Sequence, residues 1–297
     1  MDINFEYYKV FYYVAKYKNM TRAAAAMRSS QPNITRIIRI LEEELQCRLL
    51  TREARGISLT KEGEQLYSHV EIAFRQLQNA QEELRADTPD GGGTVEIGAT
   101  ETALHVFLLD ALREFKKVYP RVKIKIHNNS TPEILKSLVY GRLDFAVVTA
   151  PFEISGQLIS RELAEFAEIL VGGPQYRELS LKKRRLSELK EYSWVGLGAG
   201  TATYKWYKEI FLKYGADIEP DTEVATSDLL IPLIQDNMGI GFVPENIAKP
   251  LLAKKKLVRI YTDFALPDRK ISLVVDRGRA RSAISGELQK FLTNRRI

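Results

Sequence analysis

A stretch rich in proline and glycine at residues 86–93 divides the chain into two segments of different character. Pro89 and the three glycines after Asp90 end any helix and leave the backbone without regular structure. Before this stretch the pattern predicts helices with one short hairpin. After it strands and helices alternate, which is typical of a parallel α/β sheet. The sequence therefore predicts an all-α domain followed by an α/β domain.

The alternating segment predicts the elements of that sheet from hydrophobic periodicity. A comparable alternation occupies about 168–260. We expect strands over 94–99, 122–127, 145–149 and 271–275, and helices over 104–118, 132–140 and 283–293.

Charge is distributed unevenly along the chain, whose formal net charge is +6. Residues 1–61 hold eleven Lys or Arg against six Asp or Glu, whereas residues 62–90 hold two against seven. A basic head before an acidic helical stretch indicates that the head meets phosphate. A mildly basic solvated surface is the alternative.

Several functional classes are excluded or disfavoured by composition. A single cysteine, Cys47, excludes an internal disulfide and a cysteine-rich metal site. His69, His105 and His127 lack metal-ligand spacing, and no convergent nucleophile and base are found. We therefore expect no catalytic residue, metal or cofactor. No stretch approaches the roughly 18 consecutive apolar residues of a membrane span, and the first residues lack the basic and then apolar pattern of a secretory leader. We therefore expect a soluble cytoplasmic protein without a membrane partner.

Three helices are predicted in the head. The first covers 5–17, with Phe5, Val10, Phe11 and Val14 facing inward. Thr21 is placed to cap a second, alanine-rich helix over 23–27. The third begins at Ser30, a cap residue, followed by a proline in the first turn.

The third helix has two distinct faces. Its apolar positions recur at helical spacing and should be core: Ile34, Ile37, Ile38, Leu41 and Leu45. The outward polar side chains suit a helix in the major groove, where Asn and Gln pair with adenine and Arg with guanine or phosphate. An amphipathic surface helix with solvated arginines is the alternative for this helix alone.

Residues 50–60 predict a small hairpin with a basic tip, which is a wing that can contact the minor groove or the backbone. Solvated surface charges are the alternative for its arginines. The complete predicted set of DNA-contacting residues is Thr21, Arg22, Ser30, Gln31, Pro32, Asn33, Thr35, Arg36, Arg39, Arg52 and Arg55.

Residues 8–67 resemble the DNA-binding domain of the LysR-type transcriptional regulators, which implies a winged helix-turn-helix domain over 1–60. The chain departs from the family pattern at Gln46 and Leu50, and Asn33 and Thr35 prevent transfer of a half-site sequence. The matching positions are Phe11, Val14, Ala15, Thr21-Arg22-Ala23-Ala24, Gln31-Pro32-Asn33-Ile34-Thr35-Arg36, Leu41-Glu42-Glu43-Glu44-Leu45 and Arg52-x-x-Arg55-Gly56-x-x-Leu59-Thr60-x-x-Gly63.

A long helix is predicted over 61–85, within a linker and hinge at 61–93. About 25 residues at ~1.5 Å each give a rod of about 37 Å. We expect dimerisation rather than packing on its own domain, because the following loop leaves no obvious intrachain partner. The resemblance implies homodimers that can pair into homotetramers, on an interrupted palindrome with half-sites about 10 bp or a multiple apart. A heptad seam indicates the coiled-coil contact: Leu66, Val70, Ala73, Leu77, Ala80 and Leu84.

The second half, 94–297, resembles the effector-binding domain of the same family, which is similar to periplasmic solute-binding proteins. The resemblance implies two α/β subdomains, 94–164 plus 268–297 and 165–267, with a ligand between them. The matching positions are Val95-Glu96-Ile97-Gly98-Ala99-Thr100, Phe115, Tyr119-Pro120, Leu138-x-x-Gly141-x-Leu143-Asp144 and Met238-Gly239-Ile240-Gly241-Phe242-Val243-Pro244.

Hydroxyl groups are concentrated where predicted strands end and helices begin. Such groups and free N–H groups bind anions, so we predict a small anion, foremost a carboxylate. Glu101 adds an opposing negative charge, and helix capping is the alternative for each threonine. The glycines at 196, 198 and 200 match no nucleotide-binding spacing. The predicted effector-binding residues are Thr100, Glu101, Thr102, Asn129, Thr131, Thr149, Gly200, Thr201 and Thr203.

These features together predict a sequence-specific, DNA-binding transcriptional regulator whose activity a small-molecule effector modulates. The effector would change the arrangement of the dimers, the bending of the DNA and the access of RNA polymerase. A solute-binding component and an enzyme with a DNA-binding head are the alternatives. The basic clusters at 182–185 and 254–256 are interpreted as solvated faces, with a second DNA contact as their alternative.

Overall fold

The computed structural model describes residues 3–53, 56–85, 92–154, 156–278 and 282–295. It divides into two compact units, Met1–Arg85 and Ala86–Ile297. Among the described residues, every helix is too short or too polar to cross a membrane.

The N-terminal unit is helical with one hairpin, as the sequence predicts. Helix α2 begins earlier than expected, because the side chain of Asn19 rather than Thr21 caps it by accepting the N–H of Arg22 at 3.0 Å. The prediction that Thr21 is the cap is wrong, since Thr21 already lies in the first turn. The elements are α1 Phe5–Tyr17, α2 Met20–Ala26, α3 Gln31–Leu45, β1 Leu50–Glu53, β2 Gly56–Leu59 and α4 Lys61–Arg85.

A buried carboxylate joins α3 to the wing formed by β1 and β2. Glu42 accepts the N–H groups of Leu49 at 2.8 Å and Leu50 at 3.2 Å, which fixes the turn into β1. Helix α4 then passes so close to this turn that a Cβ at Gly63 would overlap the carbonyl oxygen of Leu49. The glycine at this position is therefore a steric requirement of the wing.

The first half of α4 packs on α1. Phe74 is buried and stacks on Tyr12 at 4.8 Å and on Phe5 at 5.6 Å. Val70 is buried in the same apolar cluster, and Leu66 packs against it. The expectation that α4 lacks an intrachain partner is wrong for this half of the helix, because aromatic residues outside the heptad seam bind it to α1.

The C-terminal unit contains two sheets. The first has the order β4-β3-β5-β12-β6 and is mixed rather than purely parallel, since β12 is antiparallel to both of its neighbours. Its elements are β3 Gly93–Ala99, α5 Glu101–Ala103, α6 Leu109–Val118, β4 Val122–Asn128, α7 Thr131–Val139, β5 Phe145–Thr149, β6 Leu158–Phe166, β12 Arg269–Asp276 and α11 Ala283–Asn294, with a π-helical turn at Leu104–Leu108 between α5 and α6.

The second sheet has the order β10-β7-β11, and a bridge from Trp194 to Ile240 adds the parallel pair β8-β9 to it. Three short 3-10 helices lie in this part, at Pro174–Leu181, Leu186–Leu189 and Ser227–Leu229. The other elements are β7 Glu168–Gly172, β8 Val195–Leu197, α8 Ala202–Lys213, β9 Thr222–Val224, α9 Leu230–Gln235, β10 Ile240–Pro244, α10 Glu245–Ala253 and β11 Val258–Arg259.

Two connections join the sheets. Strand β6 continues through Ala167 into β7, and the segment after β11 returns into β12. Each sheet is covered on both faces by buried apolar side chains, so the C-terminal unit has two layered subdomains. At the end of β3, a Cβ on Gly98 would lie 2.6 Å from Ile134 of α7, so glycine allows helix and strand to pack closely where the threonine-rich loops begin.

Candidate functional site

Helix α3 presents the two faces that its sequence predicts. Ile34, Ile38 and Leu41 are buried, whereas Gln31 and Arg36 are exposed. Ser30 caps the helix by accepting the N–H of Asn33 at 3.4 Å. The exposed N-terminal half of α3 therefore displays polar side chains on a firmly packed helix.

Hydrogen bonds within α3 limit what each polar side chain can reach. Asn33 donates to Ser29 at 3.0 Å and accepts from Arg36 at 3.2 Å. Thr35 donates to the carbonyl oxygen of Gln31 at 3.0 Å. Arg39 pairs with Glu43 on the same helix at 2.7 Å. Gln31 and Arg36 are both exposed, and the bond from Arg36 to Asn33 uses only Nη2 of its guanidinium.

The remaining predicted DNA contacts lie around α3. Thr21 and Arg22 are exposed in the first turn of α2, and Pro32 is exposed at the tip of α3. The backbone of Arg52 pairs with Ile57 in the wing. The side chains of Arg52 and Leu84 and the whole of Arg55 lie outside the described part of the chain.

A cavity in the C-terminal unit collects most of the predicted effector-binding residues. Its volume is about 50 Å³, and eight of the nine predicted residues line it. Gly200 does not line it and precedes the cap of α8. The lining side chains come from loops after β3, β4, β5, β8 and β9, so this cleft pocket lies where the two subdomains meet.

The hydroxyl groups of the cleft pocket differ in how they are engaged. Thr201 caps α8 by accepting the N–H of Tyr204 at 3.1 Å and donates to Gly198, so the capping alternative holds for this residue. Thr100 and Thr149 share a hydrogen bond of 3.0 Å. Thr203 accepts from Arg269 at 2.9 Å, which leaves its own O–H available as a donor.

Besides the bond from Arg269 to Thr203, a second side-chain hydrogen bond links the two subdomains at the pocket. Thr102 of α5 and Ser227, which follows β9, share it at a distance of 3.2 Å. Thr102 belongs to the first subdomain and Ser227 to the second. Any molecule that changes this contact also changes how the subdomains meet.

Helix starts supply further donors. No side chain caps α7 at Ser130, and no side chain caps the helical segment that begins after Thr100. The first backbone N–H groups of a helix have no partner within it. Those of Thr131 and Glu133, with the positive end of the α7 dipole, therefore favour an anion at this position.

The one acidic side chain of the pocket is engaged by its neighbours. Glu101 accepts from Asn128 at 2.8 Å, and its other carboxylate oxygen lies 2.6 Å from a ring nitrogen of His105. Both carboxylate oxygens are therefore directed at partners. Glu101 should thus repel a bound anion less than an unpartnered carboxylate would.

Sequence reasoning missed part of the lining. Asn128, Ser130, Thr226 and Ser227 also face the cleft pocket. Thr226 and Ser227 follow a short strand in the same way as the predicted threonines, so the pattern was available in the sequence. Strand β9 has only three residues, too few for an alternating pattern to predict a strand.

A buried charged network beside the pocket was also missed. Arg269 bonds Glu168 at 3.3 Å, and both side chains are almost fully buried. Tyr207 donates to Glu168 at 2.6 Å, and its pKa is raised well above the ordinary value by burial and then by the Glu168 charge. Arg269 also donates to the carbonyl oxygen of Ala150 and packs over Trp206. These partners lie far apart in sequence, so no local pattern marks them.

Comparison with known proteins identifies relatives over nearly the whole chain. HTH-type transcriptional regulator YofA of Bacillus velezensis is 28% identical over 266 residues, covering 90% of this chain and 89% of the relative. HTH-type transcriptional regulator PgrR of Escherichia coli K12 is 28% identical over 266 residues, covering 87% and 86%.

Solved structures share the fold. The full-length CbnR structure complexed with its target DNA matches with a TM-score of 0.73 at 19% identity, covering 98% of this chain and 99% of that one. ArgP of Mycobacterium tuberculosis matches with a TM-score of 0.74 at 14% identity, covering 99% and 97%.

Two family models match the two units. The model for bacterial regulatory helix-turn-helix proteins of the lysR family matches residues 5–64. The model for the LysR substrate binding domain matches residues 90–296, which is more than half of the chain. The chain therefore belongs to the LysR family of DNA-binding transcriptional regulators with an effector-binding domain.

Proposed function

We propose that this regulator reads an interrupted palindrome with the exposed N-terminal half of α3 and the wing. The observation that carries the proposal is the contrast on α3 between a buried apolar face and exposed Gln31 and Arg36. Gln31 contacts an adenine edge and Arg36 a guanine edge, the pairings that their donor and acceptor geometry favours. Arg39, already paired with Glu43, contacts phosphate.

Footprinting on the DNA upstream of the protein's own gene, in excess random DNA, tests this proposal. A protected interrupted palindrome is expected. Gln31→Ala and Arg36→Ala should each weaken specific binding by about 1–3 kcal/mol and leave binding to random DNA nearly unchanged. Arg39→Ala is the matched control, with equal losses on both DNAs. Equal losses for all three variants would instead make Gln31 and Arg36 phosphate contacts.

We also propose that the cleft pocket binds a small carboxylate as the effector. Donors converge there from the first turn of α7, from Thr131 and from the O–H of Thr203, while Arg269 occupies the acceptor side of Thr203. Oriented N–H and O–H groups near a helix N-terminus stabilise an anion more than a neutral or cationic group.

Calorimetry of the full chain with a panel of small carboxylates, amines and neutral compounds tests the anion site. Thr203→Val should weaken carboxylate binding by about tenfold, since one hydrogen bond to a charged group is lost. Thr203→Ser keeps the hydroxyl and should retain binding. If only amines or neutral compounds bind, the anion assignment is wrong.

The proposed mechanism links the cleft pocket to DNA through subdomain closure. The effector binds the closed arrangement more tightly and rearranges the dimers, so that DNA bending and RNA polymerase access change. Measuring the DNA bend angle with and without saturating effector tests this. An unchanged angle would contradict the mechanism.

Homodimers that pair into homotetramers complete the proposal, with the contact on the second half of α4. Ala73, Leu77 and Ala80 of the predicted seam are exposed, in contrast to buried Val70. A cytoplasmic location follows from the same proposal, because bacterial DNA lies there.

A further inference from the structure

A second cavity adjoins the cleft pocket and has a different character. Its volume is about 50 Å³, and aromatic side chains dominate its wall, among them Trp194, Phe211 and Phe242. Ile218 and Leu230 add aliphatic surface. Most of the residues that line this apolar cavity belong to the second subdomain, and the first subdomain contributes Thr102 and Arg269.

The two cavities share a wall. The residues that line both are Thr102, Leu197, Thr203 and Ser227. Three of them are short hydroxyl side chains, and the bond between Thr102 and Ser227 is one of the contacts that link the subdomains. A ligand that extends past this wall would occupy both cavities and lie against the inter-subdomain contact.

The charged side chains of the apolar cavity are already paired with other protein groups. Arg269 bonds Glu168 at 3.3 Å, and Lys208 bonds Glu219 at 2.6 Å. Tyr207 donates its hydroxyl hydrogen to Glu168. An anionic group in this cavity would compete with these partners, whereas the cleft pocket offers donors without such competition. The polarity of the two cavities therefore sets the orientation of a ligand that spans them.

We propose that the effector is an amphipathic carboxylate, bound by its carboxylate in the cleft pocket and by an alkyl or aryl portion in the apolar cavity. This inference rests on the proposed anion site and adds the second half of the ligand.

A homologous series from acetate to octanoate tests the inference on the full-length protein. Trp194 lines the apolar cavity and Trp206 packs beside it on Arg269, so quenching of tryptophan fluorescence at constant ionic strength reports binding. Burial of each methylene should raise affinity about fourfold. The rise should stop at the chain length that fills the apolar cavity.

Ile218→Phe supplies the matching variant, because Ile218 lines the apolar cavity and not the cleft pocket. This variant should bind acetate as the wild type does and should lose the dependence on chain length. Ile218→Val, which leaves the cavity open, should retain that dependence. The wild-type series is decisive even if Ile218→Phe fails to fold.

The outcomes separate the two proposals. Acetate binding with no gain along the series would overturn the apolar extension and leave the anion site standing. A matched series of alcohols that binds as tightly as the carboxylates would overturn the carboxylate assignment. Failure of every carboxylate to bind, short or long, would overturn both.

Discussion

Replacing Glu168 by Gln should destabilise the C-terminal unit strongly. Glu168 and Arg269 form an ion pair in which 4% and 2% of the side-chain surfaces remain exposed. Gln keeps the shape of the side chain and removes its charge. The Arg269 guanidinium then stays buried beside Trp206 without a counter-charge, and Tyr207 loses a charged acceptor at 2.6 Å.

The magnitude follows from the geometry of the pair. At 3.3 Å between Arg269 Nη1 and Glu168 Oε1, two unit charges attract by about 5 kcal/mol at an effective dielectric constant of about 20. Removal of one partner of a buried pair costs about 3–5 kcal/mol, because the other charge is left uncompensated. We therefore expect the free energy of unfolding of this unit to fall by about 3–5 kcal/mol in Glu168→Gln.

Urea unfolding followed by tryptophan fluorescence measures this effect, since both tryptophans, Trp194 and Trp206, lie in the C-terminal unit. Glu162→Gln is the control, because it breaks the pair with Lys270 on the adjacent residue of β12, where both side chains are about half exposed. Water screens that pair, so its loss should matter little.

The double variant Glu168→Gln/Arg269→Met tests the cause of the destabilisation. It should be less destabilised than the sum of the two single variants, because no uncompensated charge remains. Equal midpoints for Glu168→Gln and Glu162→Gln would refute the reasoning, as would strict additivity in the double variant.

Two further predictions concern the N-terminal unit. Gly63→Ala should lower the melting temperature, measured by circular dichroism, and weaken DNA binding, because the added Cβ overlaps the carbonyl oxygen of Leu49. Gly200→Ala is the tolerated control, because a Cβ at Gly200 meets nothing within 4 Å. Equal melting temperatures would contradict this steric argument. Leu77→Glu should dissociate the homodimer in sedimentation equilibrium, because a charge replaces an exposed apolar seam residue, whereas the neighbouring substitution Gln78→Glu should leave the dimer intact. An intact Leu77→Glu dimer would place the contact elsewhere.

Local patterns predicted much of this molecule because their causes are local. Helix α1 covers the predicted residues, and α3 begins at the predicted cap, Ser30. Both depend on hydrophobic spacing and cap chemistry within a few residues. The cap of α2 was predicted wrongly because Asn19 and Thr21 can both accept a backbone N–H. In the structure Asn19 has the extended backbone of a cap residue, whereas Thr21 lies inside the helix.

Only the tertiary structure shows which residues of the heptad seam pack within their own unit and which are exposed. A 4-3 repeat predicts that a helix packs on a partner and does not identify which one. Phe74, one position beside the seam, stacks on Tyr12 and so packs the first half of α4 against α1 of its own unit. The seam residues Leu77 and Ala80 that follow are exposed, as the proposed homodimer requires.

What the sequence by itself determined is the family, the order of the two domains, the faces of α3 and most of the strand-end hydroxyls that line the cleft pocket. Each depends on residues close together in the chain, where spacing and propensity act directly. Only the tertiary structure decided the partners of those hydroxyls, the apolar cavity and the pairing of Arg269 with Glu168, which is 101 residues away. Such contacts arise when segments distant in the sequence meet in the folded chain, so their energies depend on the completed packing rather than on any local pattern.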